Sequence, residues 1–470
     1  MRASRTLPPS PWKRSAGNEM NGSESEFLKQ AARVVPNENQ LRWFRLEQYA
    51  FIHFGVNTFT GKQWGDGTEK ESIFDPKKLD CDQWVRAIKA AGLKGMILTA
   101  KHHDGFCLWP SAFTEHSVKN SPCQQDIIRE ASEACRRGGI AFGFYLSPWD
   151  RNSAYYGTSA YNDYYCNQLT ELLINYGEIF CVWFDNACTE EGKQIYDFPR
   201  YFALVRKYQP QAVIFNDFGP DIRWCGNEAG KARTAEWSVV PTDLCRYAPA
   251  QCGRGPMAEK SPLILNNGNE QLGKTEQILH AEGLAYVPAE IDTSIRKDWF
   301  WRRHQRPKSL KKLFRIYLNS VGHNACLNLN IPPDRNGLLD ERDVKRLLEY
   351  GDLLRRTFGK PVPYEIIKQT ETEIVMRTEC PIREIEFVVL QEDISFGQRV
   401  ECFEILEGES VIYRGNTIGH KQICPVKRSF IGQLIAKDRA GDRLTVRIIR
   451  SRDAALLKDI QLFGRKKASI

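Results

Sequence analysis

Apolar runs of strand length alternate with amphipathic helical stretches through most of this chain. The run at 49–59 (YAFIHFGVNTF) is broken by Gly55, and the stretch DCDQWVRAIKAAG follows, capped by Asp80 or Asp82 and stopped by Gly92. There Trp84, Ile88 and Ala91 recur at helical spacing. GMILTAKHHDGF, QDIIREASEACRRGG, AFGFYLSPWD, a long helix at 161–176, IFCVWFDNAC, FPRYFALVRKY and AVIFND continue the alternation. One strand and one helix every ~35–45 residues predicts a parallel sheet closed by crossovers.

Beyond Asn216 the alternation loosens. DFGPDIRWCGNEAG reads as loop, a strand is expected at 236–240, a polar insertion at 242–282, and LAYVPAEIDTSI as the seventh strand. LKKLFRIYLNSVG, ACLNLNIPP and DERDVKRLLEYGDLLRRTFG then bring the count to about eight units, which fits an α/β fold of (β/α)8-like TIM barrel type over residues 26–359. A flat doubly wound sheet fits less well, because no glycine-rich phosphate loop follows the first strand. Pro361 and Pro363 mark a boundary. From there EIVMRTE, EIEFVVLQE, ESVIYR and LTVRIIR have a period of two, predicting a C-terminal β-sandwich over 360–470 that braces the barrel.

Composition narrows the function classes. The 470 residues carry a net charge of +8, spread evenly except for a run from Arg296 to Arg315 in which Lys and Arg crowd around Trp299, Phe300 and Trp301. No nucleic-acid motif accompanies that run, so no nucleic-acid partner is expected. The 14 cysteines are dispersed, with no C-x-x-C pair. Cys107, Cys135, Cys181 and Cys326 fall in apolar segments, where a thiol packs as a small hydrophobe. Residues 1–25 are basic and rich in Pro and Ser without an apolar h-region, which reads as a disordered leader, and no run is long enough for a membrane span. A cytoplasmic enzyme without membrane contact is expected.

The candidate chemistry gathers where the strands end, the face on which barrel enzymes keep reacting groups. His53, His102, His103, Tyr145 and Asp185 all fall there. Metal ligation is disfavoured: His102 and His103 are adjacent, whereas two ligands on one strand need an H-x-H spacing to share a face. Glycoside hydrolysis requires two carboxylates, one as nucleophile or base and one as a protonated acid. Asp185 is the first. For the second, Glu228 follows Trp224 in a partly apolar loop of the kind that raises a pKa. Asp217, Asp221 and Glu236 are rivals, and spacing alone does not choose among them.

HFGVNTFTGKQWGDG, LTAKHHDGFCLWPS, GFYLSPWD, VWFDNA, FNDFGPDIRWCGNEAG and LNLNIPPDRNGLL, in this order, resemble glycoside hydrolase family 29, the α-L-fucosidases. The first and fifth blocks are similar to the subgroup that removes α-1,3- and α-1,4-linked fucose. The resemblance implies a retaining mechanism without metal or other cofactor, acting on a fucosylated oligosaccharide. It implies Asp185 as nucleophile and Glu228 as acid/base. It also implies that His53, His102, His103 and Tyr145 contact fucose hydroxyls, that Trp64, Asp66, Trp183 and Arg223 join them, and that Trp299 walls the sugar's methyl group. Asn186 stands where the family usually has Gly; Asn tolerates a left-handed turn better than other non-glycine residues, so the turn is expected to survive. Two other readings stay open: a fucose-binding protein that has lost catalysis, and a metal-dependent barrel hydrolase.

Overall fold

The computed structural model describes residues 22–187, 194–245, 270–426 and 441–464. Most of the expected leader (1–21) and much of the expected polar insertion (246–269) lie outside these residues. Residues 22–25 open a helix, Gly22–Ala32.

The strands are β1 Gln48–Ile52, β2 Gly95–Lys101, β3 Ala141–Leu146, β4 Cys181–Trp183, β5 Val213–Asn216, β6 Ile222–Trp224, β7 Val239–Pro241, β8 Leu284–Tyr286, β9 Ala289–Ser294 and β10 Cys326–Asn330. Eight of them close into a parallel barrel in the order β1-β10-β9-β6-β5-β4-β3-β2. Both faces of each strand are covered, which is why the strands read as continuous apolar runs rather than alternating ones. The period of two is still present, because it divides two apolar sets. Tyr49, Phe51, Ile97, Tyr145, Cys181, Trp183, Val213 and Phe215 pack in one cluster, while Ala50, Ile52, Met96, Leu98, Phe144, Val182 and Ile214 pack in another with the surrounding helices.

Four of those helices start on aspartate side-chain caps. Asp80, Asp126, Asp197 and Asp340 accept the N–H groups of Gln83, Arg129, Arg200 and Arg342 at the heads of Cys81–Ala90, Ile127–Gly138, Phe198–Tyr208 and Glu341–Phe358. Each cap fixes where a crossover turns back, and so how far each strand end projects toward the site.

Three local expectations are corrected. The run at 49–59 is a strand only to Ile52; Gly55, at φ 156°, opens a short helix, Val56–Thr60. The sixth barrel strand is not at 236–240 but at Ile222–Trp224, joined to β5 by the loop 217–221 instead of a helix. Residues 239–241 pair instead with β8 in a two-stranded antiparallel sheet outside the barrel. LAYVPAEIDTSI therefore splits at Pro288 into β8 and β9, as Pro cannot donate to a ladder.

The C-terminal strands form the expected antiparallel layers: β11 Tyr364–Gln369, β12 Glu373–Thr378, β13 Ile385–Glu392, β14 Val400–Glu407, β15 Ser410–Gly415, β16 Gln422–Pro425, β17 Arg443–Ser451 and β18 Leu457–Gly464. Five make one sheet (β11-β12-β17-β14-β15) and three another (β16-β13-β18), with Met376, Val388, Phe403, Val446 and Leu462 among the residues packed between them. They are fastened to the barrel by polar contacts. Gln398 accepts the Ser238 N–H (2.9 Å) and donates to the Glu236 carbonyl (3.1 Å), and Asn324 accepts the His420 N–H (2.7 Å). Among the described residues, no helix is long and apolar enough to cross a membrane.

Candidate active site

The ends of β1 to β4 bring one continuous group of rings and polar atoms together. His53 follows β1 and packs at 4.9 Å from Trp299, 5.6 Å from His102 and 4.5 Å from Phe51, measured between ring centres. Its Nδ1 and its backbone N–H both meet Asn330 Oδ1, at 2.9 and 3.2 Å. Burial pushes its pKa down to about 3, so the ring is neutral at physiological pH. His102 is buried too, stacked near Tyr145 at 5.8 Å, and burial followed by its two histidine neighbours holds it well below the ordinary range.

His103, whose ring packs 4.1 Å from that of His102, reaches toward Asp185. Ser147 donates its hydroxyl to the Trp149 carbonyl (2.7 Å), so it must accept from His103 Nδ1–H (2.8 Å). That fixes the ring with Nε2 3.9 Å from Asp185 Oδ2. Tyr145 donates to the same Oδ2 at 2.8 Å, and the Ala187 N–H donates to Oδ1 at 2.9 Å. Asp185 is 27% exposed, open enough to be reached yet ringed by donors. Trp64 sits edge-on to His103 and Trp149, at 5.7 and 5.8 Å.

Below this group lies a buried carboxyl that sequence reading missed. Glu290 on β9 accepts from Trp183 Nε1 (2.8 Å), Asn328 Nδ2 (3.1 Å) and the Tyr49 hydroxyl, and burial lifts it to about 7 against those three donors. It pins the Trp183 indole, which stacks on Phe215 at 3.9 Å and 9°. Asp292, two residues on, accepts from Trp224 Nε1 (2.7 Å); burial, then the charge of Glu228, raises its pKa well above the ordinary value. A usable signal was present: Glu290 and Asp292 on β9, like Asn328 and Asn330 on β10, are polar residues at a period of two within otherwise apolar strands.

Glu228 is exposed on the loop after β6, between Gly226 and Gly230, both at positive φ. Two expected sugar contacts are placed differently from the rest. Asp66 is exposed and engages Lys62 (2.5 Å) and Thr68, and these bonds hold its pKa below the usual range. The Arg223 guanidinium is fully buried, bound to Glu236, the Val287 carbonyl (3.1 Å) and the Trp237 carbonyl (3.0 Å). Glu236, a rival for the acid role, is thereby a structural counter-ion: burial pushes its pKa up, but Arg223 and Arg233 outweigh it and the net shift is downward.

A prediction follows from that pair of guanidiniums. Glu236→Gln removes the carboxylate that the buried Arg223 and Arg233 guanidiniums both face and is expected to destabilise the fold by about 3–5 kcal/mol, read as the loss in urea unfolding at pH 7. A lowered folded-state pKa stabilises above the unfolded value and loses that contribution as pH falls through the folded one, so the gap between wild type and variant should narrow below about pH 4. A gap that is flat with pH would remove Glu236 from this role.

Part of the basic run from Arg296 is likewise consumed internally, while Lys297, Arg303, Arg306, Lys311, Lys312 and Arg315 are exposed. Arg296 is buried against Asp340 (3.0 Å) and Asp343 (2.7 Å) and donates to the Arg302 and Gln305 carbonyls; Lys308 donates to the Arg296 carbonyl. These bonds tie down the segment that presents Trp299.

Residues 22–358 match the family described as Alpha-L-fucosidase. The chain belongs to the α-L-fucosidase family. It is thus a member of a glycoside hydrolase family, as the sequence blocks implied. It is 43% identical to Alpha-L-fucosidase 1 of Arabidopsis thaliana over 334 residues, which is 69% of this chain and 61% of that protein. A solved structure from Bacteroides ovatus superposes with a TM-score of 0.83 at 40% identity, covering 95% of this chain and 77% of that one. A Ruminococcus gnavus fucosidase of glycoside hydrolase family 29, solved in complex with fucose, gives 0.77 at 27% identity, covering 93% and 96%.

One departure from the usual α-L-fucosidase pattern proves to be of a different kind than expected. Asn186 has no left-handed backbone: among the described residues the non-glycine positions with positive φ are Glu47, Gln124 and Asn324. What distinguishes it from glycine is its side chain, which is buried and donates to Asp217.

Proposed function

We propose that this chain hydrolyses terminal α-1,3- and α-1,4-linked L-fucose from oligosaccharides with retention of configuration, using Asp185 as nucleophile and Glu228 as acid/base. The observation that carries the reading is the setting of Asp185, an open carboxylate at the end of β4 oriented by Tyr145 and faced by His103. The fucose ring stands over Trp183, with Trp299 beside it and the neutral His53 and His102 rings as donors and acceptors to its hydroxyls. Neutral imidazoles suit an uncharged sugar, because binding then desolvates no extra charge.

Asp185 attacks the anomeric carbon as Glu228 protonates the departing oxygen; water, deprotonated by Glu228, then releases fucose from the ester. The Tyr145 hydroxyl gives Asp185 a bond that helps it leave in the second step. The twelve described cysteines are free thiols, most of them buried, which supports a reducing compartment such as the cytoplasm.

Release from an aryl α-L-fucoside, measured with and without chelator, tests the reading. Chelator-resistant release supports it; tight fucose binding without release points to a binding protein, and chelator loss to a metallohydrolase. On linkage, the HFGVNTFTG and GPDIRWCGNE blocks motivate a further expectation. kcat/KM on a Lewis-type trisaccharide should exceed that on 2'-fucosyllactose by at least about tenfold, or 1.4 kcal/mol in transition-state binding; comparable values would remove the α-1,3/1,4 assignment.

A further inference from the structure

A third carboxyl faces the nucleophile. Trp183 on β4 and Phe215 on β5 are register partners whose rings stack, and the Phe184 N–H continues the ladder to the Phe215 carbonyl at 2.9 Å. Asp185 and Asp217 each stand two residues beyond that pair. Both lie just past their strand ends, where the Phe184 N–H bond to Phe215 and the Asn216 amide's bond to the Phe184 carbonyl (3.4 Å) hold the two chain segments side by side at the barrel mouth. The Asn186 amide closes the arrangement by donating to Asp217.

Among the described residues, the charge that acts on Asp217 is that of Asp185. From β4 it is faced by Asp185 and the Asn186 amide. Behind Asp185 lie Tyr145 of β3 and His103 after β2. On its own loop, Asp221 is committed to Arg206 (2.5 Å) and the Ile214 N–H (2.7 Å). Neighbouring carboxyls repel when both are ionised, which favours the state in which the pair carries one negative charge. Burial, then the Asp185 charge, pushes Asp217 up to about 8, with the Asn186 bond opposing.

We propose that Asp217 is the charge partner of the nucleophile: neutral while Asp185 is ionised, and ionised once Asp185 has become an ester. This rests on Asp185 being the nucleophile. In the first step an Asp185 oxygen bonds to C1, the C1–O bond breaks with its electron pair going to the leaving oxygen, and Glu228 supplies that oxygen's proton. The ester carries no charge, so the repulsion that kept Asp217 protonated is gone, and its proton passes to solvent. In the second step Glu228 takes a proton from water, the hydroxyl bonds to C1, the ester electron pair returns to Asp185, and Asp217 regains a proton from solvent. An anion thus stays under the anomeric centre throughout, facing both oxocarbenium-like transition states. Asp217 acts through the charge of Asp185 and is a positioning residue in that sense; Asn186 holds the two carboxyls in register.

Proton counting on trapping tests this. A 2-deoxy-2-fluoro-α-L-fucosyl fluoride esterifies the nucleophile and releases fluoride, a step that itself liberates no proton. Glu228 could also change ionisation, so the experiment is run in Glu228→Gln, with adduct formation counted by intact mass. At pH 7, between about a half and one proton should be released per adduct, read with a pH indicator in weak buffer. The infrared difference spectrum should lose the C=O band of a protonated carboxyl. In Glu228→Gln/Asp217→Asn, whose amide keeps the shape and accepts from Asn186, both signals should vanish while the adduct still forms. Adduct formation without proton release, or release that survives Asp217→Asn, overturns the proposal. An adduct on a carboxyl other than Asp185 overturns the nucleophile assignment as well, and peptide mapping distinguishes that outcome.

Discussion

Asp185→Asn is expected to abolish turnover of every substrate, activated or natural, lowering kcat by more than about 10⁴-fold. The amide keeps the volume of the carboxyl, and its single oxygen can still accept from one of the two donors, the Tyr145 hydroxyl or the Ala187 N–H, which bond the two carboxylate oxygens at 2.8 and 2.9 Å in the wild type. What it lacks is the negative charge that attacks C1. Fucose should therefore still bind, within about tenfold of wild type, because His53, His102 and Trp299 are positioned by Asn330 and by the β1 and β2 ends rather than by Asp185. Equilibrium binding of fucose, followed by quenching of the site tryptophans, checks the second half. Substantial residual turnover on an aryl fucoside would mean that another group forms the ester.

Glu228→Gln should separate substrates instead of stopping them all. A sugar leaving group needs a proton as its bond breaks, whereas an activated aryl group departs as a stable anion. The loss should be about 10²–10⁴-fold on oligosaccharides and much smaller for the first step on an aryl fucoside. Azide needs no general base, so it should rescue the variant on the aryl substrate by attacking the ester, giving β-fucosyl azide, the product of two inversions. Equal losses on both substrates with no azide product would transfer the acid role to another carboxyl. Asp217 and Asp292 are then the ones to examine, since burial and a neighbouring carboxylate raise the pKa of both, Asp217 to about 8 beside Asp185 and Asp292 well above its ordinary value beside Glu228. Asp221 and Glu236 are poor replacements, each being bound to an arginine.

Local chemistry wrote much of this protein in order along the chain. Continuous apolar runs marked the buried parallel strands, Asp caps marked the helix starts, and the carboxyl and imidazole groups at the ends of β1 to β4 marked the side of the barrel where the site lies. Those features depend on neighbours a few residues away, so a pattern of period two or 3.6 contains them. The sequence alone could not place the stretch from 217 to 294, because there strand-like segments choose partners across the fold. The three residues of β6 pair with β5 on one side and β9 on the other, while the better strand former at 239–241 is taken by a separate two-stranded sheet. The roles of charged residues were decided at the same level. Asp217 and Glu236 are alike to a reading by residue type, but Glu236 and Arg223 neutralise one another out of water, and Asp217 is left facing a second carboxylate. Burial and a through-space charge set which of these ionises. Both arise only when strands distant in sequence close into a barrel, because desolvation and Coulomb energy depend on distance in space and not along the chain.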